Sequence, residues 1–248
     1  MVNADGSVPV MLVTGGSGGI GQALVRRLRT QGCHVVVAAR DAARLQAWAD
    51  EVGAEAVPTD VTMTPAVDAL VAGVLERHGR IDGVAHCVGS IVLKPLHLTS
   101  DEEWERTLQL NLTSAFRLMR AVVAKHRAPV SIALVSTSAA AVGLPNHEAI
   151  AAAKAGLEGL VRAAAATYAS RGVRVNAVAP GLVRTPLAAR ITGSEAALKT
   201  SLALHPIGRI GEPDDVAAML EHLLHPSHSW ITGQVIGVDG GMSTLRQM

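Results

Sequence analysis

Aromatic residues are scarce: the 248-residue chain holds three Trp, one Tyr and one Phe. Its core must be built from aliphatic side chains, and with hydrophobic residues at 49% of the total there are enough of them to exclude a disordered chain. Cysteine is nearly missing as well. Cys33 and Cys87 lie far apart, which excludes a disulfide framework and fits two buried thiols near strand ends. Charge of one sign is not in excess. The formal net charge is +1 and no block of Lys and Arg stands out, so nothing favours nucleic acid or a membrane surface as partner. No apolar run reaches the roughly 18 residues of a membrane span. The first strand is not preceded by a basic stretch and a long apolar run, so no signal peptide and a cytoplasmic location are expected. Asn111 in "NLT" matches a glycosylation acceptor, which has no meaning without secretion.

What is present is alternation. "VPVMLVT" (Val8–Thr14), "HVVVAA" (His34–Ala39), "DGVAHC" (Asp82–Cys87), "VSIALVS" (Val130–Ser136), "VRVNAVA" (Val173–Ala179) and "QVIGVD" (Gln234–Asp239) read as buried strands, with a shorter one at Ala54–Val57. Helical patterns cover Gly19–Thr30, Ala42–Glu51, Pro65–His78, Asp101–Lys125, His147–Ser170 and Glu212–Leu224. Apolar strands alternating with amphipathic helices predict one α/β domain over 1–248, a doubly wound parallel sheet of about seven strands with helices on both faces. The long segment 181–211, with Pro186 and Pro206, is expected to be an irregular substrate loop or lid.

The first strand runs straight into "VTGGSGGIGQAL". Gly15, Gly19 and Gly21 allow a tight turn and a close backbone approach to a pyrophosphate, and the following helix start offers free N–H groups. With its T-G-x-x-x-G-x-G spacing, the stretch resembles the short-chain dehydrogenase/reductase family. Further matches follow in order: "TDV" (Thr59–Val61), "QLNLTS" around Asn111, "VSTSA", "AAAKAG" around Lys154, "RVNAVAPGLVRTP" (Arg174–Pro186) and "ITGQVIGVDGGMS" (Ile231–Ser243).

The resemblance implies a nicotinamide cofactor. It places Gly15, Ser17, Gly18, Gly19, Ile20 and Gly21 at the phosphates, Asp60 and Val61 at the adenine, and Cys87 and Gly89 alongside. Pro180, Gly181, Val183 and Thr185 fall at the nicotinamide and Lys154 at its ribose. Members that use NAD(H) close the second strand with Asp. Here Ala39 stands there, followed by Arg40. A guanidinium can pair with a 2′-phosphate that a carboxylate would repel, so NADP(H) is expected over NAD(H). The basic residue that many NADP-binding members carry in the glycine loop is replaced by Gly18.

The resemblance also implies hydride transfer between a carbonyl and an alcohol, with a tyrosine phenol handling the proton, a lysine beside it, a serine hydroxyl on the substrate oxygen and an asparagine holding a relay water. Asn111 and Lys154 are in place. The serine position falls on Thr137 or its neighbour Ser138, only one of which can face the substrate. The tyrosine position is Ile150, which has no proton to give. Tyr168, the single tyrosine, lies about five helical turns further on and reads as a helix-end packing residue. His86, Cys87 and Val88 replace the two asparagines and the alanine usual before Gly89, and His86 reads as a packing residue. His147 shares a helix face with Ile150 and Lys154 by spacing, and imidazole handles protons near neutrality. It reads either as a substitute acid or as part of a first polar turn capped by Asn146.

Three functions remain open: an oxidoreductase with an atypical or impaired proton donor, acting on a small, mainly apolar molecule; a catalytically silent NADP(H)-binding partner or sensor; and, less favoured, a lyase or isomerase. The pocket is expected from Ser90–Leu96, Ala139–His147 and Gly181–His205. The small-residue run in "AAAKAGLEGLVRAAAA" suggests a homotetramer or homodimer. No metal site is expected: His222, His225 and His228 recur at intervals of three, but Pro226 should end their helix and keep them off one face.

Overall fold

The computed structural model describes residues 1–3 and 5–245. Seven parallel strands form one sheet: β1 (Val10–Thr14), β2 (His34–Ala39), β3 (Glu55–Pro58), β4 (Gly83–His86), β5 (Val130–Val135), β6 (Val173–Pro180) and β7 (Val235–Val238), in the order β3-β2-β1-β4-β5-β6-β7. The order reverses between β1 and β4, and such a switch opens a crevice beyond the carboxyl ends of those strands.

Successive strand residues face opposite sides, and both sides are covered. Met11 and Val13 of β1 pack with Leu24 and Leu28 of α1 (Gly19–Thr30), Leu45 of α2 (Ala42–Val52) and Leu220. Leu12 of the same strand packs with Leu70 of α3 (Thr64–His78), Leu118 and Leu157 on the other side. This two-sided burial explains why the strands read as continuous apolar runs.

The long helical pattern from Asp101 to Lys125 is not one regular helix. It divides into α4 (Asp101–Leu108), a wide turn of π type at Gln109–Thr113 and α5 (Ser114–Lys125). Such turns concentrate at functional sites, and Asn111 lies in the middle of this one. The helix expected from His147 begins one residue later, as α6 (Glu148–Tyr168). Its N-cap is His147, without a side-chain cap bond, and not Asn146. Asn146 takes a left-handed backbone with φ 64°, and its carbonyl accepts from Lys94 N at 2.8 Å. The segment 181–211 is more regular than its two prolines suggest: it contains α7 (Ala189–Thr192) and α8 (Glu195–Ala203), ahead of α9 (Pro213–Leu224).

Candidate active site

The glycine loop is fixed by backbone approach. Gly15 has φ +73°, and a Cβ there would stand 2.7 Å from the carbonyl carbon of Cys87. A Cβ on Gly21 would meet Gly15 O at 2.3 Å, so only glycine lets α1 start so close to the loop. The N-cap of α1 is Gly18, which leaves the first N–H groups without a side-chain partner. These donors suit a pyrophosphate. Ser17, Gly18, Gly19, Asp60, Cys87 and Gly89 line the adjoining cleft of about 680 Å³. Val61 lines it too. The Val183 side chain is buried in the core on the α1 side, and Ile20 packs against the same core while staying partly exposed. Thr185 sits against the loop: a Cβ on Gly19 would lie 2.9 Å from Thr185 Cγ2.

The far end of the cleft is cationic. Arg40 and Arg44 both line it, with Asp41 between them in sequence. Asp41 is the N-cap of α2 and accepts from Arg44 N at 3.0 Å, so its carboxylate is engaged by backbone. Asp60 accepts from Thr62 N at 2.9 Å and Thr62 Oγ1 at 2.7 Å. These bonds, and to a lesser degree Arg40 and Arg117, hold its carboxyl below the usual carboxylate range.

Lys154 and Asn111 converge beside Gly89, where a Cβ would be 2.9 Å from Asn111 Oδ1 and 3.6 Å from Lys154 Nζ. The Lys154 ammonium is buried and donates to Val135 O at 2.7 Å. Burial lowers it to about 8, still mostly charged at neutral pH. Asn111 is tied down on both sides of its amide: Nδ2 donates to Thr107 O and Ser90 Oγ, each at 2.9 Å, and Oδ1 accepts from Ser90 N at 3.1 Å.

Thr137 and Ser138 separate. Thr137 lines a second cavity of about 170 Å³. Ser138 Oγ is buried and donates to Asp239 Oδ2 at 2.7 Å, so its hydrogen is engaged away from this cavity, which Ser138 does not line. Asp239 also accepts from Ser243 N and Oγ, so Ser138 serves to fix the C-terminal turn. The second cavity is lined largely by Ile91, Leu93, Leu144, Ile150, Leu182 and Leu204. Pro180, Gly181 and His147 line it as well. His147 Nδ1 lies 2.8 Å from Pro145 O. A carbonyl only accepts, so Nδ1 carries a hydrogen and Nε2 is the nitrogen that exchanges a proton.

The family profile described as enoyl-(acyl carrier protein) reductase matches residues 15–243. The chain belongs to the short-chain dehydrogenase/reductase family. It is 36% identical over 242 residues to 3beta-hydroxysteroid dehydrogenase 1 of Eggerthella lenta, covering 94% of this chain and 93% of that protein. Among solved structures, a short-chain type dehydrogenase/reductase from Mycobacterium ulcerans superposes with a TM-score of 0.92 at 32% identity, over 96% of this chain and 90% of that one. A variant of actinorhodin polyketide ketoreductase with NADPH gives 0.91 at 31% identity, over 99% and 100%.

In this short-chain dehydrogenase/reductase His86 is a brace. Its Nδ1 lies 2.7 Å from Thr14 Oγ1 and its Nε2 2.9 Å from Ser114 Oγ, whose hydroxyl donates to Leu110 O at 2.7 Å. Ser114 therefore accepts from Nε2–H, and in the neutral ring that burial favours Nδ1 accepts from the Thr14 hydroxyl. Burial lowers His86 to about 3. The unfolded chain takes up this proton below about 6.5 while the folded one refuses it, so the contribution is complete above pH 6.5 and is lost progressively toward pH 3. Between pH 6.5 and 5 the loss is about 2 kcal/mol. Urea melts at the two pH values are expected to show that loss in the parent and a smaller one in His86→Asn; equal losses would refute the assignment.

Sequence reasoning missed Arg44, hidden in a helical pattern, and Met242, which joins the small cavity from beyond β7. The helix of the three C-terminal histidines ends at Leu224, ahead of Pro226 as expected, yet two of the rings still meet. After Pro226 a short 3-10 turn folds back, and the rings of His228 and His222 stack at 3.6 Å. Their donor nitrogens do not converge with His225 into a ligand set among the described residues.

Proposed function

We propose that this chain is an NADP(H)-dependent oxidoreductase interconverting a small, mainly apolar carbonyl compound and its alcohol, with His147 handling the proton. The observation that carries this reading is the second cavity, whose lining is mainly apolar, with Thr137, His147, Ser201 and His205 as its polar side chains. A nicotinamide cofactor would be held by the glycine loop, Asp60, Val61 and Lys154, and when bound it supplies or accepts hydride. Thr137 Oγ1 accepts from Ala139 N at 3.3 Å, which leaves its own hydrogen to orient a substrate oxygen. Lys154 spends one of three donors on Val135 O, and the other two serve the ribose hydroxyls. The aliphatic walls exclude water and favour alicyclic ketones over charged ones.

The test is turnover across a panel of alicyclic ketones with NADPH, and of the alcohols with NADP. Turnover is expected in the parent, and His147→Ala is expected to lower kcat by roughly 100-fold or more while leaving NADPH affinity unchanged. Tight NADPH binding without turnover of any substrate would favour a silent NADP(H)-binding partner or sensor instead. That alternative rests on one observation: Ile150, where the family places its acid, is a buried part of the cavity wall.

A further inference from the structure

At the end of the sheet away from the cofactor cleft, three side chains meet that the active site does not use. His34 opens β2, Glu55 opens the edge strand β3, and His78 ends α3. Parallel strands put these openings opposite the strand ends that frame the cleft. His78 Nε2 lies 2.7 Å from Glu55 Oε2, and His34 Nε2 lies 3.3 Å from the same oxygen. One donor atom from each residue lies within 4.8 Å of the other two. The two imidazole centroids are 4.2 Å apart, tilted by 44°.

Two imidazoles that turn the same nitrogen toward one carboxylate oxygen resemble three corners of a tetrahedron. A tetrahedral zinc ion with bonds of about 2.0–2.2 Å holds its ligand atoms roughly 3.3–3.6 Å apart; the His34 contact already has that spacing, and the His78 contact is shorter. Opening the His78 contact by roughly 0.6–0.9 Å, within reach of a side-chain rotation, would admit the ion. Two nitrogens and one oxygen suit zinc, whereas magnesium and calcium take oxygen ligands. Arg77 Nη2 holds the other Glu55 oxygen at 2.6 Å. A bond of this kind orients a ligating carboxylate and leaves it one oxygen for the metal. The three side chains are 40%, 27% and 18% exposed, in chain order, which leaves room for a water at the fourth corner.

We propose that His34, Glu55 and His78 form a zinc(II) site, completed by one water, that clamps the edge strand β3 to β2 and α3. The ligands come from three elements, so the ion binds the folded chain and adds to its stability. Being remote from the cleft, it takes no part in turnover.

Calorimetric titration of untagged, chelator-stripped protein with zinc chloride is expected to give one ion per chain with a micromolar Kd. Free zinc at about 100 Kd should raise Tm by roughly 5 °C. His34→Asn and His78→Asn should each weaken zinc at least tenfold and remove the shift in Tm, and His222→Asn should change neither. Cobalt(II) in the parent protein, which needs no variant, should give the intense visible spectrum of a tetrahedral site, lost on adding one equivalent of zinc. Parent-like affinity in both ligand variants, a weak octahedral cobalt spectrum, or no saturation below about 1 mM zinc would each overturn the proposal.

Discussion

Ile150→Tyr is expected to raise ketone reduction with NADPH by about 100- to 10,000-fold, the usual worth of a well-placed general acid. Position 150 is one helical turn before Lys154 and in the wall of the small cavity that Thr137 also lines. A phenol there would meet a buried ammonium, and a neighbouring positive charge lowers a phenol's pKa toward the working pH. Replacing Ile by Tyr in a buried wall costs about 1–3 kcal/mol if the ring must push neighbours aside, so a melt accompanies the assay. The second half of the experiment concerns His147. If its Nε2 supplies the proton in the parent, His147→Ala removes most turnover there and much less in the Ile150→Tyr background. If His147 only caps α6, the same change lowers stability slightly in both backgrounds and leaves turnover alone. An Ile150→Tyr protein that binds NADPH and reduces nothing across the ketone panel would show that more than the phenol is missing, and the binding-protein reading would take the lead.

The parts of this site that were legible in the sequence are those with a local cause. The glycine loop follows from Gly15 and Gly21, where backbone atoms leave no room for a side chain. The buried strands follow from continuous apolar runs, and all of the predicted strands form, with ends shifted by no more than two residues. What was illegible depends on distance. What separates Thr137 from Ser138 is Asp239, a hundred residues away, whose carboxylate takes the serine hydroxyl and leaves Thr137 as the one that lines the cavity. The wide turn at Gln109–Thr113 interrupts what hydrophobic spacing shows as one helix, because its amphipathic pattern runs through. The cap of α6 is His147 rather than Asn146, because the left-handed Asn146 backbone turns its carbonyl to Lys94 N while the His147 carbonyl accepts from Ala151 N in the helix's first turn. His34, Glu55 and His78 are spread over two strands and a helix with no shared spacing, so only the folded chain brings them into one cluster.

Arg40→Asp is expected to reverse the cofactor preference, weakening NADPH by about 100-fold while leaving NADH within a few-fold of the parent. The only chemical difference between the two cofactors is the 2′-phosphate, so any residue whose loss affects one and spares the other must act there. A charge-assisted bond from a guanidinium contributes about 1.5–3 kcal/mol, which is roughly 10- to 150-fold in affinity. A carboxylate at position 40 adds repulsion, and it gives the ribose hydroxyls of NADH an acceptor in exchange. Arg44 enters the same cleft from the first turn of α2, and Arg44→Ala is expected to weaken NADPH by about tenfold without touching NADH. Both guanidinium groups are exposed to solvent, so raising the salt from 50 to 500 mM should shrink the NADPH advantage in the parent and have little effect in Arg40→Asp. Calorimetric titrations of both cofactors at the two salt concentrations check all three statements. A preference for NADPH that survives Arg40→Asp would move the phosphate contact elsewhere, with Arg44 and the loop around Gly18 the next places to look. A parent that binds NADH as tightly as NADPH would remove the 2′-phosphate from the account, leaving Arg40 as a solvated surface side chain.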